Sequence, residues 1–200
     1  VLKRLELADR VRNLPHSKLC SVEFISIDGR GVIVDLPSGA DGEISVKRSL
    51  LDDLLLRRAR ELGANVHEQT TVTGLSRNDY WNIETASGDF FQARILIGAD
   101  GRNSTVAHLC NLLPRLARER VALQAHIPLP RDFGNRIVLQ FLHEGYSGQA
   151  SVNETQLNLC LVGTPPTISK LRRWAEHQFQ LSADQGWRTI TPLTRSPVPS

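Results

Sequence analysis

Methionine is absent from the chain, so the sequence is expected to be an internal piece of a longer protein. Long hydrophobic runs are also missing. None approaches the roughly 18 to 20 apolar residues that a bilayer-crossing helix needs, and no basic segment leads into an apolar core at the N-terminus. A spanning helix and a secretory signal are therefore not expected. The three cysteines, Cys20, Cys110 and Cys160, are an odd number at wide spacing, with no Cys-x-x-Cys pair. That pattern points to a reducing, cytoplasmic setting and away from a metal centre. A block of like charge is missing too: the net charge of +3 comes from a slight excess of basic residues spread along the chain, which gives nucleic acid no surface to grip. Neither Gly-x-Ser-x-Gly, His-Glu-x-x-His nor a P-loop occurs, and the six histidines are scattered singly.

What is present is enough apolar mass for one or two cores, since 40% of the residues are hydrophobic. Residues 1–11 are loosely helical up to Leu14-Pro15. Cys20 to Ile27 and Val32-Ile33-Val34 read as a hairpin around Asp28-Gly29-Arg30-Gly31. After a Gly-bearing loop at Pro37 to Gly42 and a short extended piece at Glu43 to Val46 comes the clearest helix. Ser49 and Asp52 resemble a capping box at its start, Leu51, Leu54, Leu55, Ala59 and Leu62 share one face, and Gly63 ends it. Extended segments follow at Asn65 to Glu68, Thr70 to Ser76, Trp81 to Thr85 and Phe90 to Ile97, then a short helix from about Ser104 to Cys110. Beyond a linker around Pro114 the strands lengthen, at Arg120 to Ile127, Arg136 to His143 and Gln156 to Val162. A helix spans Thr167 to Phe179, and Thr191 to Ser200 reads as a proline-rich loop. The overall class is α/β, mixed α+β, with a domain boundary near Arg118 that separates residues 1–118 from 119–200.

Chemistry concentrates in Ile95-Leu96-Ile97-Gly98-Ala99-Asp100-Gly101-Arg102-Asn103-Ser104. An apolar strand ending in Gly-Ala-Asp-Gly before a helix removes side chains at Gly98 and Gly101, where a cofactor backbone can come close, and Gly101 can take positive φ. Asp100 offers a carboxylate at the carboxyl end of a strand, where ligands of open α/β sheets bind. Ser104 and the following amides offer donors to anionic oxygen. The alternative is a plain strand-turn-helix link in which Asp100 forms only an Asx-turn.

The longer pattern resembles the FAD-dependent oxidoreductase superfamily of para-hydroxybenzoate hydroxylase-like and geranylgeranyl reductase-like flavoproteins, which also includes flavin-dependent halogenases. It is carried by Ser45-Val46-Lys47-Arg48-Ser49-Leu50-Leu51-Asp52, then Ala59 to Val66, then Ile95 to Ser104, in that family's order. The resemblance implies a partial FAD-binding Rossmann-like domain lacking its N-terminal βαβ unit, joined to a mixed β-sheet substrate domain. Arg48 would reach the flavin cofactor. Gly98, Asp100, Gly101 and Ser104 would lie near the FAD pyrophosphate, with NAD(P)H as a further candidate electron donor. Gly145-Tyr146 resembles a turn that faces the flavin in the reductase-like branch, which makes Tyr146 a candidate substrate contact. Gly148 stands where that branch usually carries tryptophan, a departure that counts against a geranylgeranyl-type substrate.

The implied activity is that of a monooxygenase or a C=C reductase acting on a small organic substrate, with the flavin doing the redox work. A non-catalytic αβ interaction module that keeps the same architecture is the alternative.

Overall fold

The structure is a computed structural model, and it describes residues 1–39, 42–101, 104–112, 118–182, 184 and 186–196. Two compact units emerge: Val1–Arg58 with Arg118–Ser196, and Ala59–Ala117 with the undescribed Pro197–Ser200.

In the first unit, a 3-10 turn over Leu2–Leu5 leads into helix α1 (Ala8–Arg12) and strand β1 (His16–Leu19). Strands β2 (Ser21–Ile25) and β3 (Gly31–Asp35) form the expected hairpin, closed by Ser26 N–H donating to the Arg30 carbonyl at 2.9 Å. Strand β4 (Glu43–Val46) pairs antiparallel with β1 and delivers the chain to helix α2 (Arg48–Glu61). Leu7, Val11 and Leu54 are buried together, with Leu2, Ile44, Val46 and Leu51 packed around them, so the apolar stripe read from the sequence does bury its centre. The start of α2 differs from expectation. It lies at Arg48 rather than at Ser49, and the Lys47 carbonyl accepts from the amides of Leu50 and Leu51 at 3.0 and 3.2 Å. Asp52 is drawn to Arg48 one turn behind it, a spacing at which opposite charges meet on a helix. Gly63 closes the helix at φ 92, as its lack of Cβ allows.

The second unit holds a three-stranded antiparallel meander, β5 (Val72–Arg77), β6 (Trp81–Thr85) and β7 (Phe90–Ala93), and a short helix α3 (Thr105–Leu109). Residues 65–68 form no strand, and β7 stops at Ala93 instead of running to Ile97. Ile95 and Ile97 are 77% and 80% exposed. A strand is held by cross-strand hydrogen bonds, and no other described strand pairs with the Ile95 to Ile97 run. Arg102, Asn103 and the linker around Pro114 lie outside the described residues, as do Ala40 and Asp41 of the Pro37 to Gly42 loop.

The remaining elements are β8 (Arg118–Pro128), β9 (Arg136–Leu142), β10 (Gly145–Ser151), β11 (Gln156–Gly163), helix α4 (Ile168–Gln178) and β12 (Arg188–Ser196). They complete a seven-stranded sheet in the order β12-β8-β11-β10-β9-β2-β3, antiparallel except where β2 runs parallel to β9. Residues 1–58 group with the later strands because β2 completes their sheet. Two local readings also change. Gly145 opens β10 rather than forming the turn, which lies at 143–144, and residues 191–196 belong to β12 rather than to a loop, while Pro197 and Pro199 lie outside the described residues.

Helix α4 covers one face of this sheet. Leu157, Leu159 and Leu161 of β11 alternate inward beside Ala125 and Ile127 of β8, and Leu171 and Ala175 of α4 close over them. Leu159 is fully buried, so Leu159→Ala should destabilise the protein by about 2 to 5 kcal/mol. Urea unfolding followed by circular dichroism would measure it, and a loss below about 1 kcal/mol would show that this core is not closely packed.

Candidate functional site

The turn between β7 and α3 is built from its own side chains. Asp100 Oδ1 accepts from Ser104 Oγ at 2.5 Å, and Oδ2 accepts from the Val106 amide at 3.1 Å. Ser104 Oγ in turn accepts from the Ala107 amide at 2.9 Å, which makes Ser104 the N-cap of α3. The Ser104 hydroxyl, followed by the Val106 amide, holds the Asp100 carboxyl below the usual carboxylate range. Asp100 is exposed, and the amides of Thr105 and of Asp100 itself also favour its ionised carboxylate.

The glycines serve different ends. A Cβ on Gly98 would lie 2.8 Å from Val106 Cγ1, so Gly98 lets the chain pack against α3. Gly101 has φ 83 with nothing within 4 Å of where its Cβ would sit. Its backbone conformation requires glycine, and its α-carbon looks onto open space. The structure thus brings Gly98, Asp100, Gly101 and Ser104 together in the second unit.

Arg48 and Tyr146 belong to the first unit. Arg48 is exposed at the head of α2, and its Nε donates to Asp52 Oδ1 at 2.6 Å. A cation at a helix start opposes the helix dipole, and Asp52 supplies the compensating anion within the chain, which also raises the Arg48 pKa. Tyr146 lies on β10, on the sheet face opposite α4, with its ring 6.4 Å from that of Phe141. A surface cavity of about 310 Å³ opens beside it, lined among others by Arg120, His143, Val162 and Thr164.

The same face carries polar residues that a linear reading passed over. On β8, Gln124 and His126 face β11 partners Cys160 and Asn158, and Arg188 of β12 stands opposite Gln124. His126 titrates below its usual value, first because it is partly buried and then because Lys47 and Arg188 place positive charge near it. The only sequence signal for this grouping was the period-two alternation of β8 and β11, which sets their even-numbered residues on one face. Burial also pushes the Cys160 thiol up. Cys20 is exposed, and all three cysteines are free. Among the described residues, no helix is long and apolar enough to cross a membrane.

No protein-family profile matches the chain. The digeranylgeranylglycerophospholipid reductase of Methanocaldococcus jannaschii is 34% identical over 103 residues, which cover 45% of this chain and 26% of that protein. Among solved structures, PqsL, described as a probable FAD-dependent monooxygenase from Pseudomonas aeruginosa, superposes with a TM-score of 0.72 at 15% identity, covering 95% of this chain and 60% of that one. The flavin-dependent halogenase CmlS gives a TM-score of 0.73 at 17% identity, over 98% of this chain and 40% of the halogenase. The chain therefore has the fold of FAD-dependent monooxygenases and flavin-dependent halogenases. That fold is the one the resemblance in its sequence implied. The chain spans about a quarter of the curated reductase it matches and 40% to 60% of these two solved chains.

Proposed function

We propose that the protein is an FAD-dependent oxidoreductase, a monooxygenase or C=C reductase that acts on a small organic substrate. The observation that carries this reading is the turn around Asp100. It presents an exposed carboxylate beside a positive-φ glycine whose α-carbon faces open space. Those features suit a dinucleotide, because the carboxylate can accept from a ribityl hydroxyl while Gly101 lets a pyrophosphate come close to the backbone. Gly98 and Ser104 hold the turn in shape, and Arg48 supplies positive charge toward the flavin cofactor. When bound, FAD provides the redox chemistry, with NAD(P)H as the proposed donor of electrons, while the chain binds, orients and shields the reactants from water. Tyr146 on the seven-stranded sheet serves the substrate.

The test is to incubate the full-length protein with FAD, remove free flavin by gel filtration and read absorbance near 450 nm, roughly where protein-bound flavins absorb. Stoichiometric retention is expected. A colourless protein would sink the flavin reading and favour the interaction module, for which the exposed Ile95 and Ile97 are the observation in hand. Arg48→Ala should weaken FAD affinity by about tenfold, in line with the loss of one charge-assisted contact. Arg48→Lys should restore part of that loss, and equal affinity in all three proteins would remove Arg48 from the site.

A further inference from the structure

Among the described residues, the seven-stranded sheet ends at β12 on one side and at β3 on the other, and the two edges are built differently. At β12 the pairing with β8 shifts register twice, and the strand carries Arg188, Pro192 and Arg195. Bulges, proline and charge are the means by which an edge refuses a further strand. At β3 the pairing with β2 runs unbroken from Asp35 to Gly31, and Asp35 is the strand's one charged residue. Val32 and Ile33 point to opposite faces and are both 63% exposed, so neither face of this edge is covered by the described residues.

The hairpin's own bonds show which backbone groups of β3 are spare. Ser26 N–H donates to the Arg30 carbonyl at 2.9 Å and Leu36 N–H to the Cys20 carbonyl at 2.8 Å, so at both ends the even-numbered residues turn toward β2. Antiparallel bonding alternates along a strand. Gly31, Ile33 and Asp35 therefore turn their amides and carbonyls outward, where no described strand meets them. Those positions are symmetric about Ile33.

We propose that β3 pairs with β3 of a second copy of this chain, antiparallel about a twofold axis at Ile33, so that one sheet runs through a homodimer. Ile33 of one copy then lies opposite Ile33 of the other, and Gly31 lies opposite Asp35 at both ends, each pair exchanging its N–H and carbonyl bonds. Val32 meets Val34 at the positions between, where cross-strand side chains come closest. The two Asp35 carboxylates fall at opposite ends of the paired strands, each beside Arg30-Gly31 of the other copy. Sliding the copies by two residues loses this match in either direction. One slip sets Pro37, which has no N–H, opposite Gly31, and the other sets Asp35 opposite Gly29, which turns at φ 83 outside the strand. The surface lies wholly within the first unit and is independent of the flavin reading.

Sedimentation velocity of the full-length protein over a range of concentrations tests it. Wild type should form a dimer that dissociates on dilution. Ile33→Lys and Ile33→Glu each set like charges against one another at the axis and should weaken dimerisation about tenfold or more. Circular dichroism should not change, because Ile33 is exposed. An equal mixture of the two variants should recover the dimer, since Lys then faces Glu. Ile33→Pro removes an outward N–H and none that β2 uses, so it should dissociate the dimer as well.

A full-length protein that stays monomeric up to about 100 μM would overturn the inference. So would a dimer undiminished in both charged variants, because the copies would then meet elsewhere. Failure of the mixture to recover the dimer would show that Ile33 does not face its own counterpart, which removes the twofold register and the proposal with it.

Discussion

Gly145→Ala should unfold or severely destabilise the first unit, by about 3 kcal/mol or more. Two independent features require glycine at this position. A Cβ there would lie 2.0 Å from the carbonyl oxygen of Val162 on the neighbouring strand, closer than any real contact, and the residue has φ 153. The obstacle is backbone in the middle of a sheet, so no flexible side chain can swing away to make room. Displacing β10 from β11 would also disturb the buried row that packs beneath α4, where Gln149 Nε2 donates to Ser147 Oγ at 2.9 Å. The measurement is the urea midpoint relative to wild type, with Gly148→Ala as the control on the same strand. Gly148 has room for a methyl group, so its variant should shift stability by less than about 1 kcal/mol. Similar midpoints for the two variants would mean that β10 and β11 do not approach as closely as the structure shows.

The second large effect is expected from Asp100→Ala, and it separates the two roles this side chain can have. Removing the carboxylate frees the Ser104 hydroxyl and the Val106 amide, which loosens α3. In the flavin reading it also deletes a cofactor contact. FAD affinity of the full-length protein should fall about tenfold to a hundredfold, the range for losing one or two hydrogen bonds to a charged group. The substitution Asp100→Asn keeps an acceptor for either Ser104 or Val106 and should preserve most of the turn. If this amide variant restored both helicity and FAD retention, the carboxylate would be acting through geometry. Restoration of helicity alone would mark the charge itself as the cofactor contact. Unchanged flavin content in both variants would remove Asp100 from the binding site.

The pH response follows from the same bonds. The folded-state pKa of Asp100 is depressed, so its contribution to the turn is present above the ordinary aspartate value. It is lost as pH falls through the lower folded value. Melting of the turn should therefore begin in acid below the usual range for aspartate, and Asp100→Asn should abolish that step.

How much of this could be read beforehand varied with the range of the forces involved. The β2–β3 hairpin, the α2 stripe, the strand at Trp81 to Thr85 and the α4 face were legible because turn residues and side-chain periodicity act locally. The positive φ of Gly101 was legible for the same reason, whereas Ser104, read as a donor to anionic oxygen, caps α3. Where strands pair was not: nothing near Ser21 announces that it will lie beside Arg136, and nothing in Ile95-Leu96-Ile97 tells whether a partner strand will be present. The start of α2 was misplaced by one residue because the Ser49 and Asp52 pattern fits a capping box, whereas in three dimensions Arg48 claims Asp52. The grouping of Gln124, His126 and Arg188 escaped notice because it depends on register across strands far apart in sequence.

The parallel pairing of β2 with β9 also has a consequence for the order in which the chain can fold. About a hundred residues separate the two strands, and residues 59–117 are inserted between them, so the sheet cannot be completed by local contacts. At roughly 5 to 20 residues per second on the ribosome, the β2–β3 hairpin waits on the order of 5 to 20 seconds before β9 exists to receive it. During that time Phe24, Val32, Ile33 and Val34, all still substantially exposed in the finished fold, lie on a hairpin with an open edge. The early hairpin is thus the segment where a nascent chain has most need of a chaperone.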